Sequence, residues 1–258
     1  MKKSLIIGAI LVITGITFII GAVIHSGFDI SKFETIIYTT ITYAPEGDFN
    51  KIDIDTHTTD IVLKKSENGN CKIVCSESEH LKYSASIENG VLSIKTADSR
   101  KWYEYFTVFS LKRPMTLYLP ENQYDSITIN SRAGDISLSG IICTGDITVN
   151  VSTGDVILSD LTCNNLYTEG STGDTTLKNT VASGSFNIRR STGDVEFENS
   201  DASSITVKTS TGDVTGTLKT QKTFITDTST GNIRVPSTAS SEKCEIKTST
   251  GDIIISIQ

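Results

Sequence analysis

The stretch Ile205-Thr206-Val207-Lys208-Thr209-Ser210-Thr211-Gly212-Asp213-Val214 joins a run of alternating apolar and polar residues to a Gly-Asp pair and a second apolar position. Alternation of this kind reads as strand, and Gly-Asp as a corner. The phrase recurs along the second half of the chain. Its glycines stand at Gly134, Gly154, Gly173, Gly193, Gly212, Gly231 and Gly251, each step being 19 or 20 residues. Self-similarity at a fixed period of this size marks a solenoid or another repeat architecture. The positions seven and five before each glycine, and two and four after it, hold 24 apolar residues out of 28, where a 37% apolar composition gives about 10. These columns face a common interior.

A strand, a corner, a second strand and a return, closing every 19 or 20 residues, make one coil of an all-β parallel β-solenoid whose coils stack at the strand-pairing distance of ~4.8 Å. Glycine suits a corner with positive φ, because it lacks a Cβ. The following residues, Asp135, Asp155, Asp174, Asp194, Asp213, Asn232 and Asp252, form a ladder down the stack in which Asn232 interrupts the carboxylates. Like charges ~4.8 Å apart repel, so the ladder must be solvated, hydrogen-bonded to its turns, or bridged by cations such as calcium. Turn capping is the reading adopted, with no metal and no cofactor.

Outward from the repeats, residues 125–258 are assigned to the solenoid and residues 49–124 to an N-terminal β region. That region begins with a degenerate coil. With Thr59 at the glycine position, Ile52, Ile54, Ile61 and Leu63 fill the inward columns and Asp60 takes the Asp position. A β-branched residue resists positive φ, so this corner must be built differently. Asn89-Gly90 between two alternating runs is a strong hairpin signal; it pairs Ile87 with Leu92 and Ala85 with Ile94 in an antiparallel cap over the first coil. Residues 25–48 form a juxtamembrane segment with one strand over 36–43.

Residues 1–3 carry two lysines, and residues 4–24 carry no charge. About 20 apolar residues span a bilayer's hydrocarbon layer, and the lysines place the N-terminus in the cytoplasm and the repeats outside it. The expectation is a single-pass membrane anchor.

The candidate partner-contact residues are Trp102, Tyr103, Tyr105, Phe106 and Phe109, a concentration of amphipathic aromatics suited to a protein, glycan or membrane interface, or to packing on the cap. A net charge of -7 without a visible basic stripe argues against nucleic acid. Stacked carboxylates could in principle serve a polysaccharide-cleaving enzyme, but an unbroken period leaves no loops to build a cleft, and His25, His57 and His80 sit in no catalytic pattern. Paired threonines before the corner, as at Thr209 and Thr211, recur in too few coils to form an ice-binding face. Cys143 and Cys163 stack in adjacent coils, within disulfide range, in a column continued by Ala182 and Ala202. Small buried thiols fit that column. The closing run Ile253-Ile254-Ile255-Ser256-Ile257 has no element after it, which leaves an edge for self-association or strand addition.

The membrane segment, Ile52-Asp53-Ile54-Asp55-Thr56, the aromatic segment, Leu117-Tyr118-Leu119-Pro120, and Ser126-Ile127-Thr128-Ile129 leading into the Ser-Thr-Gly-Asp repeats together resemble the bacterial putative-adhesin family of β-strand-repeat cell-envelope proteins. The resemblance covers about residues 50–258. It implies a right-handed β-helix in the cell envelope, a non-enzymatic binding role or a part in envelope-stress signalling, and no catalytic residues.

Overall fold

The computed structural model describes residues 14–18, 20–21, 24–25, 37–100 and 113–258. The chain divides into two compact units, residues 1–38 with 100–112, and residues 39–99 with 113–258. In the first unit, the described residues of 14–25 are helical. Among the described residues no helix is long and apolar enough to cross a membrane; the expected anchor over 4–24 lies largely outside them, as does the aromatic segment from Trp102 to Phe109.

The second unit is a stack of two-stranded layers, each named here by its corner residue. In the Gly154 layer, Ile142–Thr153 runs to the corner and Val156–Ser159 leaves it. The strand before the corner pairs in parallel with Gln123–Ala133 of the Gly134 layer and with Asn165–Thr172 of the Gly173 layer. The strand after it pairs in parallel with Ile136–Ser139 and Thr175–Lys178. Equivalent residues sit opposite each other, Ile147 against Ile127 and Leu166, and Leu158 against Leu138 and Leu177. Ile127, Ile147, Leu166, Phe186 and Ile205 are 0% exposed. Burying each such side chain contributes about 1.5–3 kcal/mol, and the inward columns repeat that term in every layer.

Four successive coils turn again six residues after the glycine, at Gly140, Asp160, Asn179 and Asn199, with φ of 66°, 55°, 47° and 50°. Asn and Asp are the side chains that tolerate this left-handed region. They also bond along the stack: Asn179 Nδ2 donates to Asp160 Oδ1 at 3.0 Å and Asn199 Nδ2 to Asn179 Oδ1 at 2.8 Å.

Layer order differs from sequence order at both ends. Val195–Lys208 pairs in parallel with Lys243–Thr250 of the Gly251 layer, and Lys243–Thr250 pairs on its other side with Thr223–Thr230 of the Gly231 layer. Behind the corner, Val214–Leu218 pairs with Ile253–Ile257, which pairs with Ile233–Arg234. The C-terminal strands are therefore threaded between the two preceding layers, and the stack ends on the Gly231 layer. This corrects the expectation of a bare edge at Ile253 to Ile257: the open edge is Thr223–Thr230 with Ile233–Arg234. The physical reason lies in the columns. Cys244, Ile246, Ile253 and Ile255 are at most 3% exposed between neighbours, whereas the Gly231 layer carries Thr226 inward and leaves Ile233 46% exposed. The fully apolar set takes the position covered on both sides. Lys222 holds the crossing connection, fully buried, with its Nζ 2.7 Å from Asp201 Oδ1 and bonded to Glu242.

The N-terminal end repeats the device. Lys51–Thr58 pairs in parallel with both Val91–Asp98 and Gln123–Ala133, and Ile61–Lys65 with both Met115–Leu119 and Ile136–Ser139. The degenerate Thr59 coil thus stacks directly on the Gly134 layer instead of standing apart from the regular coils. Ile52, Ile54, Ile61 and Leu63 are 0–1% exposed. The Asn89-Gly90 hairpin forms with the expected pairs, Ile87 with Leu92 and Ala85 with Ile94. Only its first strand, Leu81–Glu88, is purely a cap, because Val91–Asp98 belongs to the parallel stack. Thr39–Tyr43 and Lys72–Glu77 close the other face with antiparallel pairs.

Candidate binding face

The corner ladder comes first, because it sets the spacing of everything beside it. Asp135 N–H donates to Asp60 Oδ1 at 2.9 Å, Asp155 N–H to Asp135 Oδ1 at 3.1 Å, Asp174 N–H to Asp155 Oδ1 at 2.8 Å, and Asp194 N–H to Asp174 Oδ1 at 2.8 Å. The series continues as Asp213 N–H to Asp194 Oδ1, Asp252 N–H to Asp213 Oδ1, and Asn232 N–H to Asp252 Oδ1, each at 2.7 Å. One oxygen of each carboxylate is committed to the next backbone amide, a charge-assisted bond that fixes the turn. Threading puts Asn232 at the end of the ladder, where sequence order has it interrupt the carboxylates. Among the described residues no group of three or more His, Cys, Asp or Glu has the geometry to hold a metal ion. The ladder glycines Gly134, Gly154, Gly173, Gly193, Gly212, Gly231 and Gly251 all have positive φ, and a Cβ on any of them would lie 2.0–2.4 Å from a carbonyl oxygen of the adjoining layer.

Two residues before each corner and four before it, side chains point away from the core. Between these two rows, on the Thr59 to Gly193 layers, runs a trough of about 540 Å³. Asp55, Asn130, Asn150 and Glu169 form one wall, and His57, Arg132, Ser152, Ser171 and Ser191 the other. The floor is the intervening backbone at Thr56, Ser131, Val151 and Gly170. Asn150 Nδ2 donates to Asn130 Oδ1 at 2.9 Å, so one wall is pre-ordered along the stack. His57 Nδ1 lies 3.4 Å from Thr96 Oγ1. Amides, hydroxyls and opposite charges in an open channel crossing several layers can hydrogen-bond a long polar ligand at repeated positions.

Beneath the floor lies Arg190, 4% exposed, with Nε donating to Thr175 Oγ1 at 2.8 Å and neither Nη1 nor Nη2 hydrogen-bonded. Its Nη1 occupies the space a Cβ of Gly170 would take, 1.9 Å from that position. Burial lowers the guanidinium's proton affinity, and the nearby Asp155 and Asp174 oppose that shift. The Gly173 layer carries Thr168 and Thr175 where the layers on either side carry aliphatic residues, and Thr175 bonds this cation.

The outward row of the trough continues past Glu169 as Arg189, Lys208, Lys247 and Asp227, each paired directly with the next. The three cations are exposed. A search for a basic stripe in contiguous sequence misses them, since they are 19 and 39 residues apart; reading the column four before each glycine in spatial order finds them. Of the other residues singled out from sequence, Cys143 and Cys163 are free, buried thiols. Burial, with Cys143 and Asp146 nearby, pushes the Cys163 thiol up to about 12.

The family model described as Toastrack DUF4097 matches residues 49–258. Among solved structures, a putative adhesin from Bacteroides fragilis NCTC 9343 is 20% identical with a TM-score of 0.54, covering 85% of this chain and 97% of that one. A putative lipid binding protein from Parabacteroides distasonis ATCC 8503 is 14% identical with a TM-score of 0.45, covering 85% and 96%. A putative adhesin from the same organism is 12% identical with a TM-score of 0.39, covering 85% and 97%. No curated protein matches. At these identities the first likeness shows the fold alone.

Proposed function

The chain belongs to the Toastrack DUF4097 family over residues 49–258, and on that premise we propose that it is a non-enzymatic binding module that holds a linear polymer of the cell envelope. In this reading residues 4–24 form the single membrane helix, the N-terminus is cytoplasmic, and the layers lie outside the cytoplasm. The coils wind to the right, the hand that parallel crossover connections overwhelmingly take. The observation that carries the reading is the trough of about 540 Å³ between two outward rows. It is open along the stack, polar on both walls, and repeats at the layer spacing, which suits a ligand that itself repeats. The adhesin name of the Bacteroides fragilis neighbour is consistent with binding and says nothing of the ligand.

The test is retention of the full chain, in neutral detergent, on insoluble envelope polymers, compared with a variant carrying Ser152→Trp and Ser171→Trp. Both serines are exposed and line the trough, so the indoles fill it without entering the core. Wild-type retention with at least a tenfold loss in the variant is the expected result. Equal retention of the two proteins refutes the trough as the binding surface.

A further inference from the structure

Arg189, Lys208 and Lys247 stand directly opposite one another on three adjacent layers. Like charges in such register destabilise a sheet. Elsewhere the chain avoids the arrangement on this row: Asn130 faces Asn150, and Glu169 faces Arg189. Among the described residues no carboxylate lies within salt-bridge distance of Arg189 or Lys208, while Lys247 Nζ is 2.7 Å from Glu245 Oε1. The acids facing the row are Glu169 at one end, Asp227 at the other, and Glu245, which pairs with Lys247 and lies within electrostatic reach of Lys208. Beside the row runs a second one of exposed hydroxyls, Ser191, Ser210 and Ser249.

Threading makes the row. In sequence order the layer after Lys208 carries Asp227, which would separate the cations. Insertion of Lys243–Thr250 between Val195–Lys208 and Thr223–Thr230 places Lys247 next to Lys208 and moves Asp227 to the end. On a chain of net charge -7, the topology thus assembles a contiguous cationic strip that continues the line of the trough past Ser191. The corner carboxylates Asp194, Asp213 and Asp252 follow five residues later, beyond the glycine corner at which the chain leaves this strand.

We propose that this strip binds a linear polyanion, a polymer with repeating phosphate or carboxylate groups, that lies across the layers at Arg189, Lys208 and Lys247. The inference rests on the trough reading and names the ligand's chemistry. Each anionic group meets one cation, with serine hydroxyls alongside to donate to its oxygens. Repetition at ~4.8 Å supplies several weak contacts to one chain at once.

The experiment measures binding of the full chain, in neutral detergent, to fluorescent long-chain polyphosphate and to polygalacturonate, with dextran as the neutral polymer. The variant Arg189→Gln, Lys208→Gln, Lys247→Gln is compared with Lys64→Gln, Lys65→Gln, Lys72→Gln, which removes the same charge elsewhere, and with Arg189→Lys, Lys208→Arg, Lys247→Arg. Binding to at least one polyanion is expected, with log K falling against log salt at a slope near -2, from about 0.7 per cation. The strip variant loses at least tenfold and the control variant less than threefold; the charge-preserving variant keeps wild-type affinity. Unchanged melting temperatures separate these losses from unfolding.

Equal losses in strip and control variants overturn the proposal, as does no binding to either polyanion. Full competition by vesicles of anionic lipid, with neutral vesicles inert, also overturns it, since the strip then recognises a membrane surface. Failure here with the tryptophan result intact leaves the trough reading standing. Loss of polyanion binding in the strip variant, with the tryptophan variant unaffected, does the reverse.

Discussion

Replacing Gly193 by alanine tests whether the corner ladder sets the layer spacing. Gly193 has φ 142°, and a Cβ there would lie 2.0 Å from Gly173 O and 2.6 Å from its carbonyl carbon. Holding a non-glycine residue in this region costs of order 1–3 kcal/mol. The contact adds a second term, because about 1 Å of extra separation is needed between two backbones held by pairing. That movement strains the bonds from Thr175 N–H to Asp194 O at 2.8 Å and from Gly173 N–H to Thr192 O at 3.1 Å, together with the Asp194 N–H bond to Asp174 Oδ1 at 2.8 Å. At ~0.5–1.5 kcal/mol each, losing two of the three brings the total to about 2–6 kcal/mol. A domain's whole stability is of order 5–15 kcal/mol, so the effect is large. Gly140→Asn is the internal control: φ is 66°, nothing lies within 4 Å of its Cβ position, and Asp160, Asn179 and Asn199 already occupy the equivalent corner. Urea unfolding of the full chain followed by circular dichroism should show a large fall in midpoint for Gly193→Ala, and a change within ~0.5 kcal/mol for Gly140→Asn. Equal, small effects from both would refute the argument that backbone contact at the corner dictates the spacing.

Two further predictions concern buried ionisable groups. Burial raises the Glu77 carboxyl's affinity for protons, but Tyr43, the Tyr83 amide and Lys82 outweigh it and hold the group below its ordinary 4.5. Its contribution is therefore present above pH 4.5 and lost as pH falls through the lower folded value; Glu77→Gln should flatten that part of a stability-versus-pH curve measured by thermal melts. Arg190→Met should be neutral or stabilising by about 1–4 kcal/mol, since the guanidinium is buried with two nitrogens unbonded. A melting temperature several degrees below wild type would show that Asp155 and Asp174 compensate the charge.

Much of the stack is legible in the sequence, for a reason specific to repeats. A corner that admits no Cβ must be glycine in each regular layer, and columns buried from both sides must be apolar, so Gly134 to Gly251 and the positions around them announce the architecture. The second corner at Gly140, Asp160, Asn179 and Asn199 is harder to see, because three residue types satisfy the same positive φ and no fixed word results. Layer order is invisible to periodicity, since inserting Lys243–Thr250 between two earlier layers leaves the period unchanged. Only the weaker inward column around Thr226 hints that the Gly231 layer is outermost. The cationic strip is hidden in the sequence for the same reason: Lys208 and Lys247 are neighbours only in the threaded order. Arg190 leaves a signal in the sequence, in the paired departures at Thr168 and Thr175 from columns that are aliphatic in the adjoining layers, and in the missing side chain at Gly170.

The threaded order is what makes the binding strip continuous, and cysteine cross-linking tests it directly. Lys208 and Lys247 are opposite on adjacent strands, within the Cα separation that a disulfide spans, whereas Asp227 lies one layer beyond, about 9.6 Å from Lys208 at ~4.8 Å per layer. Mild oxidation should join the cysteines of Lys208→Cys with Lys247→Cys, seen as a linked peptide pair by mass spectrometry, and leave those of Lys208→Cys with Asp227→Cys unjoined. A link between positions 208 and 227, with none between 208 and 247, would contradict the threaded stack and the strip with it.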